Sequence, residues 1–138
     1  MKRILVLHSN FSSAHFYKND DFSNAENKKN FGRCYTQYGH GHNYSLEVGF
    51  SLKLSLSDQE LVQQKTNLEQ ILQKLTNPLD HEHLNFVIPE FKKTIPTTEN
   101  ILLYFEKKMT ESGLKTKLGY IKLFESENLW SEKYYVTK

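Results

Sequence analysis

The residues Tyr38-Gly39-His40-Gly41-His42-Asn43-Tyr44 offer chemistry first. Side chains at i and i+2 of an extended backbone project from the same face. If this stretch is extended, His40 and His42 aim two imidazoles at one point, and Gly41 leaves the opposite face uncrowded. Neutral imidazole is a common ligand of zinc, which takes four nitrogen, sulfur or oxygen donors. The pair alone is a weak signal, and two surface histidines on an edge strand are its ordinary explanation.

A third histidine, His15, ends Phe11-Ser12-Ser13-Ala14-His15. If the first two strands pair, His15 comes close to His40 and His42. Three imidazoles with one open position is the layout of a catalytic rather than a structural zinc site. Taken singly, His15 reads as a partly buried core histidine. Cys34 precedes His40 by six residues and leaves three roles open. It is a fourth ligand that closes the site, an acid/base or nucleophile whose thiolate the metal favours, or an inert small residue.

Two further stretches carry titratable groups. Leu79-Asp80-His81-Glu82-His83-Leu84-Asn85 contains an Asp-His pair in which a carboxylate can orient an imidazole for proton transfer. The alternative is a polar loop without chemistry, and His83 reads as a solvated loop residue. Glu125, beside Ser126, ends a late strand. A carboxylate there can accept two hydrogen bonds from an amidine-like N–H edge such as that of a pterin or guanine. Without context it is a surface charge.

The elements that must position these groups follow from periodicity. Lys2 to about Phe16 reads as a long strand, or as two strands with a bulge. Lys18 to Asn30 is polar and reads as a loop. His42 to Leu56 alternates cleanly, with Leu46, Val48, Phe50, Leu52, Leu54 and Leu56 on one face. Leu61 to Lys65 reads as a third strand. Leu68, Ile71, Leu72 and Leu75 then change to helical spacing, with Asn67 as N-cap and Pro78 just past the end. A second helix is predicted from about Thr98 to Ser112. Thr97 or Thr98 caps it, Glu99 suits its positive end, Ile101, Phe105 and Met109 form its buried stripe, and Gly113 stops it. Tyr120 to Glu127 is another strand, and Lys133 to Thr137 a short last one. Strands and helices are segregated, which predicts an α+β fold with an antiparallel sheet and helices on one face. The uncovered face and edges of such a sheet favour oligomerisation.

The bulk numbers bound the rest. A chain of 138 residues builds one domain, here residues 1–138. A net charge of +2, with scattered lysines, gives no reason to expect nucleic acid or a membrane surface as partner. One cysteine excludes an intramolecular disulfide and fits a reducing compartment. The apolar run Ile4-Leu5-Val6-Leu7 is too short for a signal-peptide core or a membrane span. The expected location is cytoplasmic.

Taken together, Ala14-His15, Cys34 through His40-Gly41-His42-Asn43-Tyr44, Leu79 through Asn85, Pro96-Thr97-Thr98-Glu99-Asn100 and Phe124-Glu125-Ser126 resemble the 6-pyruvoyl-tetrahydropterin synthase family. That family includes the bacterial 6-carboxytetrahydropterin synthases of queuosine biosynthesis. The resemblance implies a T-fold: a four-stranded antiparallel sheet with two helices on one side. It implies trimeric barrels paired into a hexamer, with active sites at subunit interfaces. The substrate would be 7,8-dihydroneopterin triphosphate. His15, His40 and His42 would hold zinc, Cys34 would be the general base, and Asp80 and His81 its relay. Glu125 would anchor the pterin, with Thr97, Thr98 and Glu99 lining its pocket. Arg33 is a candidate phosphate partner or a solvated charge.

Three details bear on that resemblance. Asn67 stands where relatives carry Asp before the first helix, and Ser126 where they carry Thr. The five residues between Cys34 and His40 match the pyruvoyl branch, which favours 6-pyruvoyl-tetrahydropterin as product over the 6-carboxy compound. Two readings from other classes remain: a catalytically weak pterin- or purine-binding protein, and a structural zinc domain with Cys34 as fourth ligand.

Overall fold

The computed structural model describes residues 3–136. Lys2 and Thr137, the outermost residues of the expected strands, lie outside them. The elements are β1 (Arg3–His15), α1 (Asn24–Phe31), β2 (His40–Leu52), α2 (Asp58–Thr76), β3 (Glu82–His83), α3 (Leu84–Val87), α4 (Thr98–Glu111), β4 (Lys117–Ser126) and β5 (Leu129–Tyr134). The fold is α+β, as expected. The sheet has five strands rather than four, in the order β3-β1-β2-β4-β5. The long strands pair antiparallel, and the added two-residue β3 runs parallel to the end of β1.

One face of the sheet carries the core. Leu7 and Phe11 of β1, Tyr44, Leu46, Val48, Phe50 and Leu52 of β2, and Ile121 and Leu123 of β4 are buried in alternation. They pack against Leu68 and Leu72 of α2 and Ile101, Leu102, Phe105 and Met109 of α4. The predicted stripe of α4 is therefore observed, and Thr97 caps that helix by accepting from the Asn100 N–H at 3.2 Å.

Three local expectations are corrected. Leu61–Lys65 lies inside α2, not in a strand, and Asn67 is mid-helix. Ser57 is the true N-cap: it accepts from the Glu60 N–H at 3.2 Å while the Glu60 carboxylate accepts from the Ser57 N–H at 2.8 Å. This reciprocal box starts the helix well ahead of Leu68. The polar segment Lys18 to Asn30 is not all loop, because Ser23 caps α1. The last strand begins at Leu129, as the second arm of a hairpin with β4. Among the described residues no helix is long and apolar enough to cross a membrane.

Candidate metal centre and active site

The polar site continues the alternation of the core. On β1 the inward positions pass from Phe11 to Ser13 and His15. On β2, running the other way, they pass from Tyr44 to His42 and His40. On β4 they pass from Leu123 to Glu125. The pairings His15↔His40 and Ser13↔His42 bring the first two sets together. Strand direction therefore collects Ser13, His15, His40, His42 and Glu125 at one end of the sheet. At Glu125 the β4–β5 register slips, Phe124 facing Trp130 and Ser126 facing Leu129. Such a bulge re-aims a side chain, and Glu125 is buried.

His15, His40 and His42 offer ligand atoms all within 4.8 Å of one another. Nε2 of His15 and Nε2 of His40 are 3.3 Å apart. Burial, with His42 and His40 beside it, pushes His15 down to about 3, so its ring is a neutral donor at physiological pH. His42 is also lowered, by burial and by His40, against an opposing pull from Glu125. Nε2 of His42 is buried without a hydrogen-bond partner, although Oε1 of Glu125 is 3.1 Å away. An orphaned buried nitrogen beside two converging imidazoles fits a metal ion as the missing partner. The three histidines can hold one.

Around this cluster stand the other expected residues. Oε2 of Glu125 accepts a hydrogen bond from the buried Thr98 hydroxyl at 2.9 Å. Thr97 is committed to capping α4, and Glu99 is exposed on its first turn. Cys34 is half-buried and outside the histidine cluster. Its thiol is raised by burial and then by Glu125. Its carbonyl accepts from the Tyr17 N–H at 2.7 Å. Arg33 is exposed.

Asp80 and His81 are not brought to this side. The Asp80 carboxylate accepts from the Ser12 N–H at 2.8 Å, and the His81 N–H donates to the Ser12 carbonyl at 2.6 Å. Asp80 borders a hollow with Asn10, Ser12, Asn43 and Ser45, the positions whose side chains alternate with the inward set. The pair thus lies across the sheet from the cluster. Nε2 of His81 is 3.7 Å from Oδ2 of Asp80, and the imidazole is 84% exposed.

Spacing alone left three features without a role. Tyr44, two residues after His42 and so on the same face, brings its hydroxyl to 2.9 Å from Nδ1 of His15; the i+2 rule applied once more finds it. His83 is not solvated: Nε2 lies 3.1 Å from the Tyr38 carbonyl, and Nδ1 is buried. The glycine that the site requires is Gly39 rather than Gly41. Gly39 has φ +78°, and a Cβ there would sit 2.3 Å from the His15 carbonyl oxygen, whereas one on Gly41 would make ordinary contact.

Comparison with known proteins identifies the family. The family model described as 6-pyruvoyl tetrahydropterin synthase matches residues 4–134. A 6-pyruvoyl tetrahydrobiopterin synthase of Dictyostelium discoideum is 39% identical over 127 residues, 91% of this chain and 90% of that protein. A protein of Archaeoglobus fulgidus provisionally named a 6-carboxy-5,6,7,8-tetrahydropterin synthase is 32% identical over 93 residues, 67% of this chain and 73% of that protein. The solved structure of Caenorhabditis elegans 6-pyruvoyl tetrahydropterin synthase superposes with a TM-score of 0.88 at 25% identity, covering 99% of this chain and 97% of the other.

Proposed function

The chain belongs to the 6-pyruvoyl tetrahydropterin synthase family, and on that premise we propose that it is a zinc-dependent lyase acting on 7,8-dihydroneopterin triphosphate. Its fold is the T-fold of that family, with β3 as a fifth strand. The observation that carries the proposal is the convergence of His15, His40 and His42 beside Glu125. With zinc–nitrogen bonds of about 2.0–2.1 Å, two ligands of a tetrahedral ion stand roughly 3.3 Å apart. That edge matches the 3.3 Å between His15 and His40, and His42 offers a ligand atom within 4.8 Å of both.

The residues divide the work. Glu125 accepts the 2-amino and N3–H donors of the pterin, held in place by Thr98. Thr97 and Glu99, at the start of α4, border the same pocket. Tyr44 fixes the His15 ring by accepting from its Nδ1–H, which leaves Nε2 as ligand. Bound zinc would polarise the oxygens of the substrate side chain and favour the Cys34 thiolate against the burial that raises it. Cys34, off the metal, takes the proton from the side-chain carbon. Asp80 and His81 return one, and triphosphate leaves by elimination. Since Asp80 and His81 face away from Cys34 within one chain, this relay needs a neighbouring subunit. That accords with an oligomer, a hexamer built as a dimer of trimers, whose sites lie at subunit interfaces.

The product we assign is 6-pyruvoyl-tetrahydropterin, on the spacing of Cys34 and His40 and the extent of the Dictyostelium match. The similarity to the Archaeoglobus protein supports a second outcome, 6-carboxy-5,6,7,8-tetrahydropterin and a place in queuosine biosynthesis. The setting is cytoplasmic. Incubating zinc-loaded protein with 7,8-dihydroneopterin triphosphate and identifying products by mass spectrometry tests the proposal. Release of triphosphate with a pyruvoyl product is expected. Unchanged substrate with tight pterin binding would instead leave a catalytically weak binding protein.

A further inference from the structure

We propose that His83 and Asn85 are positioning residues for the metal cluster, acting on the turn before His40 and on the strand end after His15. The inference rests on the metal reading above. Segment Leu79–Asn85 lies along the end of β1, where Ser13 pairs with Glu82 and Ala14 with His83. Just beyond His15, Asn85 clamps the Phe16 peptide from both sides. Its Oδ1 accepts from the Phe16 N–H at 2.9 Å, and its Nδ2 donates to the Phe16 carbonyl at 3.0 Å. Just ahead of His40, Nε2 of His83 reaches the Tyr38 carbonyl at 3.1 Å. Gly39 is wedged between them, since a Cβ on it would stand 2.3 Å from the His15 carbonyl oxygen and 2.9 Å from Nε2 of His83. One short segment therefore grips the backbone next to two of the three ligands.

The chemistry of His83 separates positioning from packing. A carbonyl only accepts, so Nε2 must carry a proton, and in the neutral ring Nδ1 is then the bare acceptor. Nδ1 is buried with no donor. The ring lies between Phe16 and Phe86, at centroid distances of 5.2 and 4.4 Å. In such surroundings a leucine would pack without an unpaired nitrogen, so stability alone does not call for histidine. What leucine cannot supply is the bond to the Tyr38 carbonyl.

The test measures Zn2+ affinity by chelator competition, and the visible absorption of bound Co2+, for the unmodified protein and three variants. His83→Leu should weaken Zn2+ binding by about tenfold, the low end of what losing a hydrogen bond to a ligand itself costs, because His83 acts on the backbone ahead of His40. Its melting temperature without metal should stay the same or rise. His83→Gln, which keeps an N–H for the carbonyl, should recover most of the affinity, and Asn85→Ala should weaken it through the other ligand. Zn2+ binding by His83→Leu within about twofold of the unmodified protein would overturn the inference alone. So would a His83→Leu variant that fails to fold, or His83→Gln as weak as His83→Leu. No Zn2+ binding by the unmodified protein would overturn the metal reading itself.

Discussion

Oε1 of Glu125 stands 3.1 Å from Nε2 of His42, while Oε2 of the same carboxylate holds the Thr98 hydroxyl at 2.9 Å. One side chain thus borders both the imidazole cluster and the start of α4. Replacing it separates two roles. Glu125→Gln keeps the volume but removes the charge and one acceptor. Hydrogen bonds to a charged group contribute about 1.5–3 kcal/mol, so pterin affinity should fall roughly ten- to a hundredfold. Glu125 opposes the lowering of His42, so its loss leaves that ring more firmly neutral and zinc content intact. Calorimetric titration with a dihydropterin, beside metal analysis, checks this. Lost zinc with unchanged pterin affinity would refute it.

Cys34 lies near Glu125 but outside the histidine cluster. Cys34→Ala should therefore retain one zinc per chain and lose turnover by about 10²–10⁴, the contribution typical of a positioned base. Metal content and triphosphate release on one preparation decide it. If the zinc leaves with the sulfur, the structural-zinc alternative is correct.

The parts of the site legible in sequence are those that alternation controls. A period of two from Tyr44 to Leu52 fixed which face of β2 was inward, and the same count put His40 and His42 on it. Pairing of consecutive strands then brought in His15. Thr97 carried its own cap signal. What sequence left hidden depends on contacts between distant segments. Nothing in Leu79–Asn85 says which side of β1 it joins, so only the family resemblance links Asp80 and His81 to Cys34, and the side of the sheet they border emerges from the structure alone. His83 looked solvated because its partners, Phe16 and the Tyr38 carbonyl, are far away in sequence. The misplaced start of α2 is different. Ser57 and Glu60 form a local capping box that the sequence itself displays, and it places Leu61 to Lys65 inside the helix.

Acid should act on the metal-free protein through His15. Its folded value of about 3 lies below the ordinary 6.5. Above the ordinary value neither the folded nor the unfolded chain carries the proton, and His15 adds no pH dependence. As pH falls between those two values the unfolded chain binds a proton that the folded chain does not, and stability is lost. One proton limits the slope to about 1.4 kcal/mol per pH unit. Urea unfolding of metal-free protein at a series of pH values checks this against His15→Gln, which should flatten that part of the profile. An unchanged slope in the variant would mean that another group is responsible.

The position of Asp80 and His81 across the sheet from the cluster predicts complementation between subunits. His81, 84% exposed, would meet a neighbouring chain in the proposed oligomer. Cys34→Ala and His81→Ala should each be nearly inactive when assembled alone. Unfolding them together and refolding the mixture should create interfaces that pair an intact Cys34 from one chain with an intact Asp80–His81 from another. Activity should return in the mixture to a substantial fraction of the unmodified level, and only after subunit exchange. Simply combining the two folded variants should not restore it. Silence after verified exchange would place thiol and relay in the same chain and require a rearrangement of Leu79–Asn85 around the end of β1.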